Sequence, residues 1–210
     1  MKLRNKNLKI LKSNHVYSEE MEHDACGVGL VASTEGLKSR KVVEYGIDAL
    51  KAVWHRGAID ADGKTGDGAG IHIEIPKDFF EEKIEVTGHK HDNSELCVGM
   101  IFLPRNDYSA QEQCRTIVES ELTKRNFSIY GWRQVPVDPS VLGEKAEQTR
   151  PEITQVLFTY NDKKVVNKSL EQKLYETRRV IEKEALNNQL NNFYICSFSS
   201  KSIIYKGMFL

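Results

Sequence analysis

An α+β fold with largely antiparallel sheets is the class this sequence predicts. Three observations carry the prediction. Short apolar runs of strand character recur through the chain, at about 26–33, 71–75, 96–103, 127–137, 153–160 and 193–199. Three longer stretches, about 39–54, 108–125 and 168–187, space their apolar residues as one face of a helix does. The two kinds of segment do not alternate regularly, as a parallel βαβ sheet would require.

The elements follow in order. Residues 1–25 hold many Lys, Asn, Glu and Asp and few apolar positions, so a loose arm or removable leader is expected. A strand over 26–33 ends in a turn at Thr34-Glu35-Gly36. In the first helix Val42, Val43, Ile47, Leu50, Val53 and Trp54 share a face, with Gly46 inside the pattern. Ile71, Ile73 and Ile75 alternate with His72 and Glu74 in a strand stopped by Pro76. Residues 77–94 are charged and read as irregular, with a turn of helix at Phe79 and Phe80.

Leu96 to Leu103 is a nearly continuous apolar run closed by Pro104, the pattern of a central strand. The next helix puts Cys114, Ile117, Val118 and Leu122 inward. Phe127–Val137 reads as strand, bulge and turn, and the segment to 150 as loop. The last helix carries the stripe Leu170, Leu174, Ile181 and Ala185 between strands at 153–160 and 193–199. Ser199-Ser200-Lys201 turns a hairpin into a strand at 202–205. The chain stops on the apolar Gly207-Met208-Phe209-Leu210, which reads as a truncation.

Composition narrows the function classes. A chain of 210 residues can bury a sizeable core. Thirty basic residues balance thirty acidic ones, which argues against nucleic acid or a membrane surface as partner. No run reaches the length of about 18 apolar residues that a membrane span needs. Cys26, Cys97, Cys114 and Cys196 form no Cys-x-x-Cys pair and no zinc spacing with the histidines, so no metal is expected. With no secretion signal, they read as reduced thiols of a cytoplasmic protein.

The segment EHDACGVGLVAS at 22–33 carries the sharpest chemistry. Removal of residues 1–25 would leave Cys26 as an amino-terminal residue bearing both a thiol and a free α-amine. Their ordinary pKa values, about 8.5 and roughly 7.7–8.0, let the amine accept the thiol's proton near neutral pH. Such a nucleophile needs no separate histidine. The plain alternative is a buried strand cysteine acting as a small hydrophobe. A third is a Cys-His dyad of Cys26 with His55 or His72. A lipoprotein cysteine is excluded, since residues 1–25 contain no apolar stretch of signal-peptide length.

The glycine-rich loop HRGAIDADGKTGDGAG at 55–70 is the second candidate. It is not a phosphate loop: five residues separate Gly57 from Gly63-Lys64-Thr65 where that motif has four, and a helix precedes it. A calcium loop opening at Asp60 fails because Ile71 stands where a bidentate glutamate is needed. A structural loop is the reading for each residue singly, while five glycines permit close ligand approach and Arg56 can pair with Asp67 or a substrate carboxylate. His89-Lys90-His91 reads as a solvated surface, and Trp132-Arg133 as a packed aromatic beside an exposed or paired arginine.

Taken together, EHDACGVGLVAS, ALKAVWHRGAIDADGKTGDGAGIHIEIP (49–76), VGMIFLP (98–104), GWRQVPVD (131–138), LYETRRVIE (174–182) and FYICSFSSKSIIYKGM (193–208) resemble the start of the glutamate synthase large subunit. That region is its class II, N-terminal nucleophile (Ntn) glutamine amidotransferase domain. The HRGA…TGDGAGI block separates glutamate synthases from amidotransferases with other acceptor domains.

The resemblance implies a four-layer αββα sandwich of Ntn-hydrolase type, a leader over 1–25 and an amidotransferase domain over 26–210. It implies that Cys26 attacks the side-chain amide of L-glutamine, forms a γ-glutamyl thioester and releases ammonia, and that water then releases glutamate. Gly27, Arg56 and Gly57 match positions lining the glutamine pocket. No cofactor is expected in this chain; FMN and an iron–sulfur cluster belong to downstream synthase domains, which are the expected partners.

The family's Asn-Gly oxyanion pair and its arginine clamp for the α-carboxylate lie beyond residue 210. The sandwich and its site are therefore expected to be incomplete, and loss of one oxyanion donor typically costs about 10²–10³ in rate. Opposed to the enzyme reading is a non-catalytic fragment or interaction module that keeps the sandwich without a working site.

Overall fold

The structure is a computed structural model, and it describes residues 2–13, 27–53, 57–90, 94–162 and 168–208. Helices α1 (Lys2–Ser13), α2 (Arg40–Ala52), α3 (Lys77–Val86), α4 (Tyr108–Lys124), α5 (Glu144–Thr149) and α6 (Lys168–Asn187) accompany six strands. The strands are β1 (Ala69–Glu74), β2 (Leu96–Leu103), β3 (Phe127–Gln134), β4 (Glu152–Tyr160), β5 (Tyr194–Ser199) and β6 (Ser202–Gly207).

All pairing is antiparallel. A four-stranded sheet runs β3-β4-β2-β5, and β1 pairs β6 in a two-stranded sheet. The α+β class with antiparallel sheets is the one the sequence predicts.

Strand β2 lies at the centre because both of its faces are apolar. Cys97, Ile101 and Leu103 join Cys114, Val118 and Leu122 of α4 and Leu170, Leu174, Ile181 and Ala185 of α6 in one core. Leu96, Val98 and Met100 face the other way, toward Ile75, Phe80 and Ile84 of the α3 region and Ile203 of β6. Each fully buried leucine, isoleucine or phenylalanine contributes about 1.5–3 kcal/mol of transfer free energy. A helix pair thus covers one face of the large sheet, and the small sheet with α3 covers the other. Helix α2 lies against β1, with Gly46 close to Ile71, and none of its residues is buried. This is the sandwich expected of the class.

Local chemistry sets the element ends. Ser39 caps α2 through its hydroxyl, and Asp107 caps α4 by accepting the Ala110 amide at 2.9 Å. Arg125 and the left-handed Asn126 end α4 and feed β3. The β5–β6 turn is held from α6: the Glu171 carboxylate accepts both hydroxyls of Ser199 and Ser200 and the Ser200 amide. A register shift in the β2–β5 ladder between Met100 and Ile101 puts Ile195 and Phe198 on the same face.

Four expectations are corrected. Residues 2–13 form a helix, so this part of the expected arm or removable leader is not loose. Residues 77–86 are a full helix, because Phe80 and Ile84, four apart, find the inter-sheet core. The 139–150 stretch contains a 3-10 turn at Pro139–Val141 and the short α5.

The fourth correction matters most. Residues 27–33 form no strand and belong to neither sheet, with Val28 and Leu30 both 91% exposed. Apolar character suits a strand there, but a strand also needs a ladder partner, and among the described residues β1 pairs with β6 alone. The turn after it is present, closed by the Gly36 amide donating to the Ser33 carbonyl at 3.2 Å. Among the described residues no helix is long and apolar enough to cross a membrane.

Candidate active site

The glycine-rich loop between α2 and β1 is a compact ribbon. Ile59 and Gly66 form an antiparallel bridge, and the Asp60 amide donates to the Thr65 carbonyl at 2.9 Å. One step nearer the foot, the Ala58 amide donates to Asp67 Oδ2 at 2.9 Å. At the tip, Asp62 Oδ1 accepts the amides of Lys64 and Thr65, and Asp62 Oδ2 accepts the Thr65 hydroxyl at 2.5 Å. Gly63 turns the tip with φ +68°, a conformation that favours glycine.

The loop's acids are engaged by their own neighbours. The Thr65 hydroxyl, then the Thr65 and Lys64 amides, hold the Asp62 carboxyl far below the usual carboxylate range, and the Lys145 amide adds to the effect. Asp60 is lowered by the Lys145 ammonium 2.6 Å away and by the Ala61 amide, and Lys145 is raised in return. A carboxylate fixed this way supplies rigidity and is a poor proton acceptor near neutral pH. The structural reading therefore holds for Asp60 and Asp62.

At its base the loop runs into β1 through Gly68 (φ +111°) and Gly70, where a Cβ on Gly70 would lie 2.9 Å from the Tyr205 carbonyl oxygen. The two glycines serve the approach of β6's backbone. The foot, Gly57 and Ala58, is exposed.

The four sequence-derived site residues are distributed unevenly. Gly27 is exposed at the head of the unpaired 27–33 segment, and Gly57 is exposed at the foot of the loop. Cys26 and Arg56 lie outside the described residues, as do residues 14–25, Trp54, His55 and His91. His72 sits at an exposed position of β1 opposite Ile204. His89 is exposed, with Nδ1 3.1 Å from the Thr87 hydroxyl and its ring edge-on to Tyr130. Trp132 donates from Nε1 to Glu119 at 2.7 Å, and Arg133 donates to Gln155 at 2.7 Å, so that arginine is paired.

The other three cysteines are buried. Burial pushes the Cys114 thiol up to about 11 and raises those of Cys97 and Cys196, which leaves them protonated and inert near neutrality. Among the described residues no three His, Cys, Asp or Glu side chains are grouped so as to hold a metal ion.

Sequence reasoning missed the partner of the loop. Gly143, Lys145 and Thr65 dock its tip onto the start of α5. The Asp-x-x-Thr spacing of a turn closed by its own side chains, Asp62 to Thr65, was the available signal for half of that joint.

These features define a two-sheet α+β sandwich with an internally hydrogen-bonded glycine-rich loop entering the small sheet. A family model described as class-II glutamine amidotransferases matches residues 26–210, and the chain belongs to that family. Its relatives are narrower in kind. The chain is 54% identical over 204 residues to the NADPH glutamate synthase large chain of Azospirillum brasilense, covering 97% of this chain and 13% of that one. It is 37% identical over 204 residues to the ferredoxin-dependent glutamate synthase of Pyropia yezoensis, covering 95% and 13%. With the ferredoxin-dependent glutamate synthase 2 of Synechocystis it shares 38% identity over 188 residues, 89% and 12%. The chain spans about an eighth of the length of these relatives.

Proposed function

We propose that this chain supplies the glutamine-hydrolysing chemistry of a glutamate synthase, with Cys26 as nucleophile once residues 1–25 are removed. One observation carries the reading: the family match runs from Cys26 to the end of the chain. The α-amine of Cys26 takes the thiol proton, and the thiolate attacks the side-chain amide carbon of L-glutamine. The carbon–nitrogen bond breaks, the ammonium group returns its proton to the leaving nitrogen, and ammonia departs from a γ-glutamyl thioester. Water, deprotonated by the same amine, then hydrolyses the thioester to glutamate and the free thiol.

Gly27, Arg56 and Gly57 line the glutamine pocket in this reading: the two glycines allow close approach, and Arg56 offers a bidentate partner for a carboxylate. A thiol nucleophile suits the reducing cytoplasm. The ammonia passes to synthase domains beyond this stretch, where FMN and an iron–sulfur cluster supply the redox chemistry. No step of that chemistry is assigned to residues of this chain.

The test is glutamine-dependent ammonia release. A full-length synthase carrying this stretch is expected to release ammonia from glutamine, and Cys26→Ala to lower the rate at least about 10³-fold, as loss of a nucleophile does. Equal rates for the two proteins would overturn the proposal.

A second reading, a sandwich module without hydrolysis, is favoured by the exposure of Val28 and Leu30 immediately after the nucleophile. It expects no ammonia release together with an intact amino terminus.

A further inference from the structure

We infer that the joint between the loop tip and the start of α5 positions the Gly57 foot of the loop, so that Asp60, Asp62, Gly143 and Lys145 are positioning residues for the glutamine pocket. The inference rests on the reading just proposed for Gly57.

The joint is built closely. A Cβ on Gly143 would lie 2.5 Å from the Thr65 amide nitrogen, and nearer still to Thr65 Oγ1 and Asp62 Oδ2. No side chain fits there, so the backbone of Gly143 is seated directly on the Asp62–Thr65 turn. Beside it, Lys145 and Asp60 pair at 2.6 Å across 85 residues of sequence. Exposed pairs contribute little to stability, and here the geometry fixes direction, since it ties the loop tip to one place on α5.

Helix α5 is itself fixed to the large sheet. Glu147 accepts from Arg105, just past the end of β2, at 2.5 Å and from Arg150 at 2.8 Å, and Ala146 is buried beneath it. Within the loop, the Ile59–Gly66 bridge and the Asp67 carboxylate on the Ala58 amide carry the constraint from tip to foot. A continuous path thus runs from β2 through Arg105, Glu147, Gly143 and Lys145 to the ribbon and to Ala58, the neighbour of Gly57. None of the four residues contacts substrate in this account; they act through the position of the foot.

The experiment uses a full-length synthase carrying this stretch and the variants Gly143→Ala, Asp60→Lys, Lys145→Asp and the double reversal Asp60→Lys/Lys145→Asp. In glutamine hydrolysis, Gly143→Ala is expected to raise KM about tenfold with kcat within roughly threefold, the mark of lost ground-state positioning. Each single reversal is expected to raise KM about threefold, and the double reversal to return it to within about twofold of the parent, because the pair is restored. A uniform KM across the set with only stability altered would overturn the inference.

Amide exchange at Ala58, whose N–H donates to Asp67, reads the joint without reference to activity. It is expected to speed up about tenfold in Gly143→Ala and Lys145→Asp and to recover in the double reversal. Unchanged exchange overturns the joint itself. A full-length parent with no glutamine hydrolysis overturns the functional reading and the substrate half of this inference, while the exchange result still decides the joint.

Discussion

Gly99 stands where three strands meet, opposite Val156 of β4 and Phe198 of β5. A Cβ there would lie 2.7 Å from Val156 Cγ1 and 2.8 Å from the Phe198 ring, whose centroid is 4.8 Å from that of Phe158. The glycine is the space into which the neighbouring strands pack. Gly99→Ala is expected to destabilise the fold by about 1–3 kcal/mol through overpacking, read as a lower urea midpoint. An unchanged midpoint would mean that the aromatic pair moves freely, which the packing here contradicts. At the same scale, residue type alone distinguishes poorly between the acids of the loop. Asp60, Asp62 and Asp67 were legible as a cluster, but their roles depend on which amides, hydroxyl and ammonium face them, and folding alone supplies that.

Among the elements, α4 shows how a polar group is kept at the edge of a core. Glu121 is 6% exposed and accepts from Lys124 at 2.7 Å and from Arg125. The Lys124 ammonium first, then Arg125, holds its carboxyl below the usual glutamate range, against burial that pushes it up. A lowered folded-state value means stability that is fully present above the ordinary glutamate pKa of about 4.3 and lost as pH falls through the folded value. Glu121→Gln is expected to cost roughly 1–2 kcal/mol at neutral pH, a difference that shrinks as pH falls below about 4.3, as measured by urea unfolding at neutral and at acid pH. A constant difference at the two pH values would place the loss in packing and not in charge.

The elements that sequence read well are those whose signal is complete within the segment. Strand β2 shows apolar residues to both faces, and α6 shows a full stripe. Helix α3 was underread because Phe79, Phe80 and Ile84 sit among charges. Segment 27–33 was overread because strand pairing is a property of two segments and apolar character belongs to one.

At the scale of the molecule, class and architecture were legible: two antiparallel sheets face each other, with helices packed on the sandwich. The family match agrees with the motifs that suggested it. The docking of the loop on α5 was not legible, since it joins residues 85 positions apart by a glycine's lack of a side chain and one ion pair. Long-range contacts of that kind leave no periodic trace in sequence.

The central claim is that Cys26 is an amino-terminal nucleophile toward glutamine. Peptide mass mapping of a full-length synthase carrying this stretch, with and without a diazoketone analogue of glutamine, tests it most directly, because Cys97, Cys114 and Cys196 are buried. The account predicts loss of residues 1–25 and a single adduct on the new terminal cysteine. An unprocessed chain that takes up no label would contradict it.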